Sequence, residues 1–259
     1  MSFPVYVTLG PLVLHPHWVF EGLAYLVGLF WVGVGSRRFG DVLDRRARWT
    51  IVVAALAGGL VGSRILAWVE NPFALADASA RMHDVVAAKT IVGGIAGGLI
   101  AVEWIKRIRG IRVATGDLLT LPLIAGIALG RVGCFLSGLE DQSYGVATSL
   151  PWGVDFGGGI NRHPTQLYEV VVLCGVGALL VRRGDRLTTT GDRFKLFVVS
   201  YMAFRFVVDF IKPGVHVGGL TMIQWVCLGV LAFYAPHLGR VFSALQQVAP
   251  VRVTEREPT

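Results

Sequence analysis

The chain has 259 residues, of which 54% are hydrophobic and 16% charged, and its mean hydropathy is +0.61. So little charge and so much apolar surface exclude an ordinary water-soluble domain of this size, a disordered chain and a coiled coil. The net charge of +7 fits either nucleic-acid binding or membrane topology, so its distribution along the chain has to decide.

Seven apolar stretches, at about 19–35, 50–69, 90–105, 117–137, 166–181, 194–211 and 220–238, are each long enough to cross a bilayer, where a helix needs about 20 apolar residues and tolerates about 17. The third and fifth carry the weakest signal. No Lys or Arg precedes Arg37, so the first stretch lacks the basic start of a secretory signal and is read as a true span. In the third, Gly93-Gly94 and Gly97-Gly98 put small residues four apart on one helix face. Such a face either lets a neighbouring helix approach closely or leaves room for a lipid chain or head group.

The fourth stretch ends in Gly130-Arg131-Val132-Gly133-Cys134-Phe135-Leu136-Ser137-Gly138. A segment of about 139–165 follows, with Pro151-Trp152-Gly153 and Gly157-Gly158-Gly159, and its turn residues predict a loop or short hairpin over one mouth of the bundle. In Arg162-His163-Pro164-Thr165-Gln166-Leu167-Tyr168-Glu169, Pro164 suits a helix's first turn, so the fifth span starts there and brings an imidazole, an amide, a phenol and a carboxylate to that mouth. The sixth span holds Tyr201, Arg205 and, at i+4 on the same face, Asp209. No repeat or linker divides the chain, which predicts one membrane domain over 1–245 and a polar tail over 246–259.

The loops after the first, third and fifth spans, together with the tail, carry 17 of the 24 basic residues; the other side carries Arg81, Lys89, Arg162 and Lys212. Because basic loops stay in the cytoplasm, this predicts an all-α, seven-span protein of the plasma membrane with its N-terminus outside and its C-terminus inside. The basic balance is then topological, and nucleic acid is not expected as a partner. Cys134, Cys174 and Cys227 show no paired spacing, so neither a disulfide framework nor a metal site is expected.

Three arginines, Arg64, Arg131 and Arg205, fall within or at the ends of spans. A guanidinium in a bilayer costs at least about 2.5 kcal/mol and faces a cavity or a partner. For Arg131 that partner is either a structural carboxylate, Glu169 or Asp209, or a ligand; for Arg205 it is Asp209 or a ligand. Two arginines reaching one cavity make a phosphate clamp, since the guanidinium fork matches phosphate oxygens and keeps its charge.

The strings around Arg131 and His163, and Ala203-Phe204-Arg205-Phe206-Val207-Val208-Asp209-Phe210, resemble three motifs of the prolipoprotein diacylglyceryl transferases, in the same order and over about His17 to Gln224. The resemblance implies transfer of a diacylglyceryl group from phosphatidylglycerol to the lipobox cysteine of a preprolipoprotein signal peptide, releasing glycerol phosphate, at the bacterial inner membrane and without metal or cofactor. It implies that Arg131 and Arg205 hold the lipid phosphate, with Gly138 in the same motif. The wider candidate substrate-binding set is Gly133, Cys134, Ser137, Gln166, Tyr168, Tyr201, Asp209, Arg64, Gly93 and Gly94. His163, helped by Glu169 or Glu140, is the candidate base for the thiol, because imidazole exchanges protons near neutrality. The positive field of the two arginines is the alternative, with His163 then a structural cap.

Several positions depart from the family's pattern. Val92 stands where a histidine usually precedes the Gly-Gly, Cys134 and Ser137 where asparagines stand, Leu139 where a glutamate follows the glycine, with Glu140 one place late, and Glu21 where a tyrosine precedes Gly22. The clamp is kept and the acceptor side is changed. A diverged relative with another acceptor, and a lipid-binding or lipid-transporting module without turnover, are therefore the competing readings. A channel or transporter has only Glu21, Glu103 and Asp209 to support it, with no inverted repeat.

Overall fold

The computed structural model describes residues 3–38, 44–72 and 88–246. Among them seven long helices follow in order: α1 (Pro16–Arg38), α2 (Arg45–Glu70), α3 (Ile91–Arg109), α4 (Gly116–Leu136), α5 (Thr165–Arg183), α6 (Asp192–Val208) and α7 (Met222–Gln246). Each overlaps one of the seven apolar stretches. Four of them, α2, α4, α5 with its extension to Arg186, and α7, are long and apolar enough to cross a membrane. The apolar run of α3 ends early because its last turn is Lys106, Arg107 and Arg109. With 17 residues, α6 is the shortest and passes into a 3-10 turn, Asp209–Ile211. Arg81 and the expected tail beyond Gln246 lie outside the described residues.

Local chemistry sets the helix starts. The Asp44 carboxylate accepts from the Ala47 amide at 2.7 Å, and the Thr90 hydroxyl from the Gly93 amide at 3.1 Å. At α7 the caps are reciprocal: the Gln224 amide oxygen accepts from Thr221 N at 2.9 Å while Thr221 Oγ1 accepts from Gln224 N at 3.1 Å. This Thr-x-x-Gln box satisfies two donors that a helix start leaves unpaired.

Side chains are distributed inside out. Ile100, Val171 and Phe233 are 72%, 70% and 71% exposed, whereas Arg131, Gln166, Glu169, Arg205, Asp209 and Gln224 are buried. Water would select the reverse; lipid selects this, because hydrocarbon accepts apolar surface and leaves polar groups to pair inside the bundle.

α1 packs on α4, which also contacts α5 and α6; α6 packs on α7, and α7 reaches α3 and α2, which form a close pair of their own. That last pair explains the glycine stripe. A Cβ on Gly62 would stand 2.5 Å from the Gly93 carbonyl oxygen, and one on Gly97 would stand 2.8 Å from the Gly62 Cα. Gly94 faces the same neighbour less tightly. The stripe therefore holds two backbones together.

Among the described residues three small antiparallel hairpins join or precede the helices, the second of them where a loop or short hairpin was expected and the other two not foreseen: β1 (Val7–Leu9) with β2 (Leu12–Leu14), β3 (Val154–Asp155) with β4 (Asn161–Arg162), and β5 (His216–Val217) with β6 (Leu220–Thr221). Strands of two or three residues are too short for any periodicity to mark. The expected 139–165 loop holds the β3–β4 hairpin, preceded by a 3-10 turn, Gly138–Asp141. Its glycine run wraps Asp155, whose Oδ1 accepts from the amides of Gly157 and Gly158 at 2.9 Å and of Gly159 at 3.0 Å. Those amides, Gly157 foremost, hold the Asp155 carboxyl below its ordinary range.

Gly62→Val is expected to lower the thermal unfolding midpoint of the detergent-solubilised protein, since overpacking against backbone costs roughly 1–3 kcal/mol or more. Gly175→Ala, where a Cβ meets nothing within 4 Å, is expected to be neutral or stabilising in the same assay.

Candidate active site

The buried polar groups meet at the end of the bundle that carries the 138–164 segment. Arg131 comes from the last turns of α4, Glu169 from the second turn of α5, and Tyr201 and Arg205 from the second half of α6. The Glu169 carboxylate is their meeting point. Arg131 Nε lies 3.0 Å from Oε1 and Arg205 Nη1 lies 3.3 Å from Oε2. The Tyr201 hydroxyl donates to Oε1 at 2.7 Å. Arg205 reaches Asp209 Oδ1 through Nη2 at 3.2 Å, and the Thr221 hydroxyl donates to Asp209 Oδ2 at 2.5 Å, which ties in α7.

Two guanidinium groups from separate helices thus share one carboxylate. Of the structural partners weighed from sequence, Glu169 pairs with Arg131 and Asp209 with Arg205; the contact of Glu169 with Arg205 was not foreseen. The carboxylates do not exhaust the donors: Arg205 Nε is buried and makes no hydrogen bond among the described residues. Gln166, one turn before Glu169 and 1% exposed, has both amide atoms unpaired. Buried amides without partners are rare and mark places where a polar ligand or water is accommodated.

Lys212, just past the 3-10 turn after α6, adds a titratable cation that the sequence placed only by its side of the membrane. Burial, then the charges of Arg205 and Arg131, push its ammonium down to about 7, against the opposing pull of Glu169 and Asp209.

The other expected site residues sit around this centre in distinct roles. Gly133 meets Phe20 of α1, where a Cβ would stand 2.6 Å from the Phe20 Cβ, so it sets the α1–α4 approach. The Ser137 hydroxyl returns to the Gly133 carbonyl at 2.8 Å, and Gly138 turns the chain with φ of +64°. His163 faces Tyr168, its Nδ1 3.2 Å from the phenol oxygen, which also accepts from Trp152 Nε1 at 2.8 Å. The His163 backbone pins the loop: its carbonyl accepts from Gly145 N at 2.9 Å, and its amide donates to Val146 O at 3.1 Å. Glu140 is exposed and paired with His15 at 2.9 Å. His163 contacts neither Glu140 nor Glu169 among the described residues. Arg64 bonds the Leu60 carbonyl of its own helix at 3.4 Å, and Gly93 and Gly94 serve the α2–α3 contact.

A second polar group was not assembled from the sequence, which singled out its Cys134 and Glu21 separately. His17 Nδ1 lies 3.2 Å from Asp141 Oδ1, and His17 Nε2 lies 3.4 Å from Glu21 Oε2. Lys89 holds Glu21 Oε1 at 2.7 Å, and Arg131 Nη1 donates to Cys134 Sγ at 3.7 Å, joining the two groups. The i, i+4 spacing of His17 and Glu21 was the one available signal. Their partners lie more than 60 residues away in sequence.

The sequence profile of the family described as prolipoprotein diacylglyceryl transferase matches residues 4–237. Three relatives, each described as a phosphatidylglycerol–prolipoprotein diacylglyceryl transferase, show how widely the likeness extends. The protein of Nitratidesulfovibrio vulgaris (strain DP4) is 32% identical over 255 residues, 88% of this chain and 90% of its own length. That of Methylococcus capsulatus is 32% identical over 252 residues, covering 89% and 92%. That of Geobacter sulfurreducens is 29% identical over 238 residues, covering 84% and 85%. A likeness that spans α1 to α7, and includes the helices that supply both arginines and their carboxylate, places this chain in the prolipoprotein diacylglyceryl transferase family.

Proposed function

We propose that this chain transfers the diacylglyceryl group of phosphatidylglycerol to the lipobox cysteine thiol of preprolipoproteins, with Arg131 and Arg205 holding the lipid phosphate. Family membership supports the reaction, and the convergence of the two guanidinium groups on one buried carboxylate carries the assignment of the site. The acceptor sulfur attacks the glycerol methylene that bears the phosphate. A carbon–sulfur bond forms, the carbon–oxygen bond breaks, and glycerol phosphate leaves with the bonding electrons. A phosphodiester with one negative charge becomes a monoester that gains a second, so fixed positive charge at the phosphate stabilises the transition state more than the bound lipid. The chain works in the bacterial inner membrane as one multi-pass domain, N-terminus outside, with the arginine end toward the outer leaflet. The 17-to-4 distribution of basic residues supports this orientation.

The thiol must lose a proton, because at an ordinary pKa only a few per cent is thiolate at neutral pH. The geometry favours the field of Arg131, Arg205 and Lys212 over His163 as the cause. His163 is turned to Tyr168 and Trp152 and its backbone fastens the loop, which makes it a positioning residue. Glu169 is fully engaged by Tyr201 and the arginines, and Glu140 by His15.

Mass spectrometry of a lipobox peptide incubated with phosphatidylglycerol and the solubilised protein is expected to show the thioether product. Arg131→Ala is expected to lower the rate by about 10²–10³, as removal of a charge-stabilising donor does. His163→Ala is expected to lose less than about tenfold, short of the 10²–10⁴ that a general base contributes. A larger loss assigns the base to His163, and no thioether from the wild type refutes the reaction.

Lys212 generates a pH prediction. Burial, then the charges of Arg205 from α6 and Arg131 from α4, outweigh Glu169 of α5 and Asp209 of the 3-10 turn and leave its ammonium at about 7. Below that pH it carries a positive charge and strengthens phosphate binding; above it the amine is neutral. KM for phosphatidylglycerol, whose phosphodiester does not titrate near neutrality, is expected to rise as pH passes upward through about 7. Lys212→Arg keeps the charge and is expected to flatten that rise.

A further inference from the structure

We propose that His17, Cys134 and Asp141 form a binding site for one divalent transition metal of the zinc class. His17 stands in the first turn of α1, Cys134 in the last turn of α4, and Asp141 at the end of the following 3-10 turn. One ligand atom from each lies within 4.8 Å of the other two. Tetrahedral zinc, with bonds of about 2.0–2.3 Å to nitrogen, oxygen and sulfur, needs ligand atoms roughly 3.5 Å apart. The 3.2 Å between His17 Nδ1 and Asp141 Oδ1 meets that requirement.

The surrounding groups carry the argument beyond proximity. A metal-bound histidine normally donates through its other ring nitrogen to a carboxylate, which fixes the tautomer and orients the ring. Here Nε2 points at Glu21 Oε2, 3.4 Å away, and Lys89 and the Tyr25 hydroxyl hold the other oxygen of Glu21. Asp141 Oδ2 accepts from the Ser143 hydroxyl, which leaves Oδ1 for the ion. Cys134 is buried, and the Arg131 guanidinium donates to its sulfur at 3.7 Å, which holds the side chain beside the other two ligands.

Charge also balances. Binding releases the Cys134 proton, and thiolate plus carboxylate then cancel the two charges of the ion, so Arg131 meets no net positive group. The three ligands leave one of four positions for water or an exogenous ligand, and the ion would join α1 to α4 and to the turn that follows. A mixed nitrogen, sulfur and oxygen donor set suits zinc and excludes magnesium or calcium, which take oxygen. The site stands independently of the transferase reading, and its test does not use turnover.

The test loads the full-length protein in detergent with zinc chloride after chelation, removes the excess, and counts metal by mass spectrometry. The expected result is about one zinc per wild-type chain and less than about a tenth of that in Cys134→Asn, with size-exclusion profile and thermal unfolding confirming that the variant is folded. If Cys134→Asn does not fold, Asp141→Asn is judged by the same criterion. Cobalt chloride on the wild type is expected to give a sulfur-to-cobalt charge-transfer band in the near ultraviolet that Cys134→Asn lacks. Glu21→Gln is expected to weaken zinc affinity by about tenfold without abolishing it, as loss of an outer partner does. Wild type that retains less than about a tenth of an equivalent, a folded variant that retains as much zinc as wild type, or cobalt bound without the sulfur band overturns the proposal.

Discussion

The Glu169 carboxylate lies between the guanidinium groups of Arg131 and Arg205, and the rest of the site takes its shape from that arrangement. Two cations from different helices repel one another strongly where no water screens them. With the carboxylate between them, and Tyr201 fixing its orientation, they stand as close neighbours on one side of the bundle. Removing one partner of such a buried set leaves an uncompensated charge, at a cost of about 3–5 kcal/mol. The same network therefore organises α4, α5 and α6 and presets the positive field on which the proposed reaction relies.

Lipid makes this arrangement necessary as well as useful. A charged side chain inside the bilayer must find a partner in the protein, and the inside-out distribution of side chains shows the chain meeting that demand throughout. Asp209 extends the network to α7 through Thr221, whose position depends in turn on the capping box with Gln224. The glycine contacts of α2 and α3 lie outside this polar network and work by backbone proximity alone, a source of association open to helices whose surroundings are as apolar as they are.

The departures from the family's pattern gain a spatial meaning. Cys134 and Glu21, both unusual residues, belong to one cluster with His17 and Asp141. Val92, in the place of the missing histidine, is buried in the apolar core that includes Leu66 and Ile95. Of these positions Cys134 takes a hydrogen bond from Arg131, while Glu21 pairs with His17 and Lys89.

Seven helices, their order and the helix-terminal placement of Pro164 were legible from hydropathy and proline chemistry, because lipid imposes a minimum apolar length that a linear sequence displays. The three arginines outside the loops were legible for the same reason, since charge inside such a run stands out. Of the hairpins only the one within 139–165 was, through its turn residues; the other two are shorter than any pattern can report. Neither was the carboxylate shared by Arg131 and Arg205, nor the turning of His163 toward Tyr168, nor the meeting of His17 with Asp141 across more than 100 residues. Hydropathy is a property of each segment by itself, whereas a site is a property of which helix faces point at one another. Those faces are set by the packing of α1 on α4 and of α4 on α5 and α6, which only the folded chain decides.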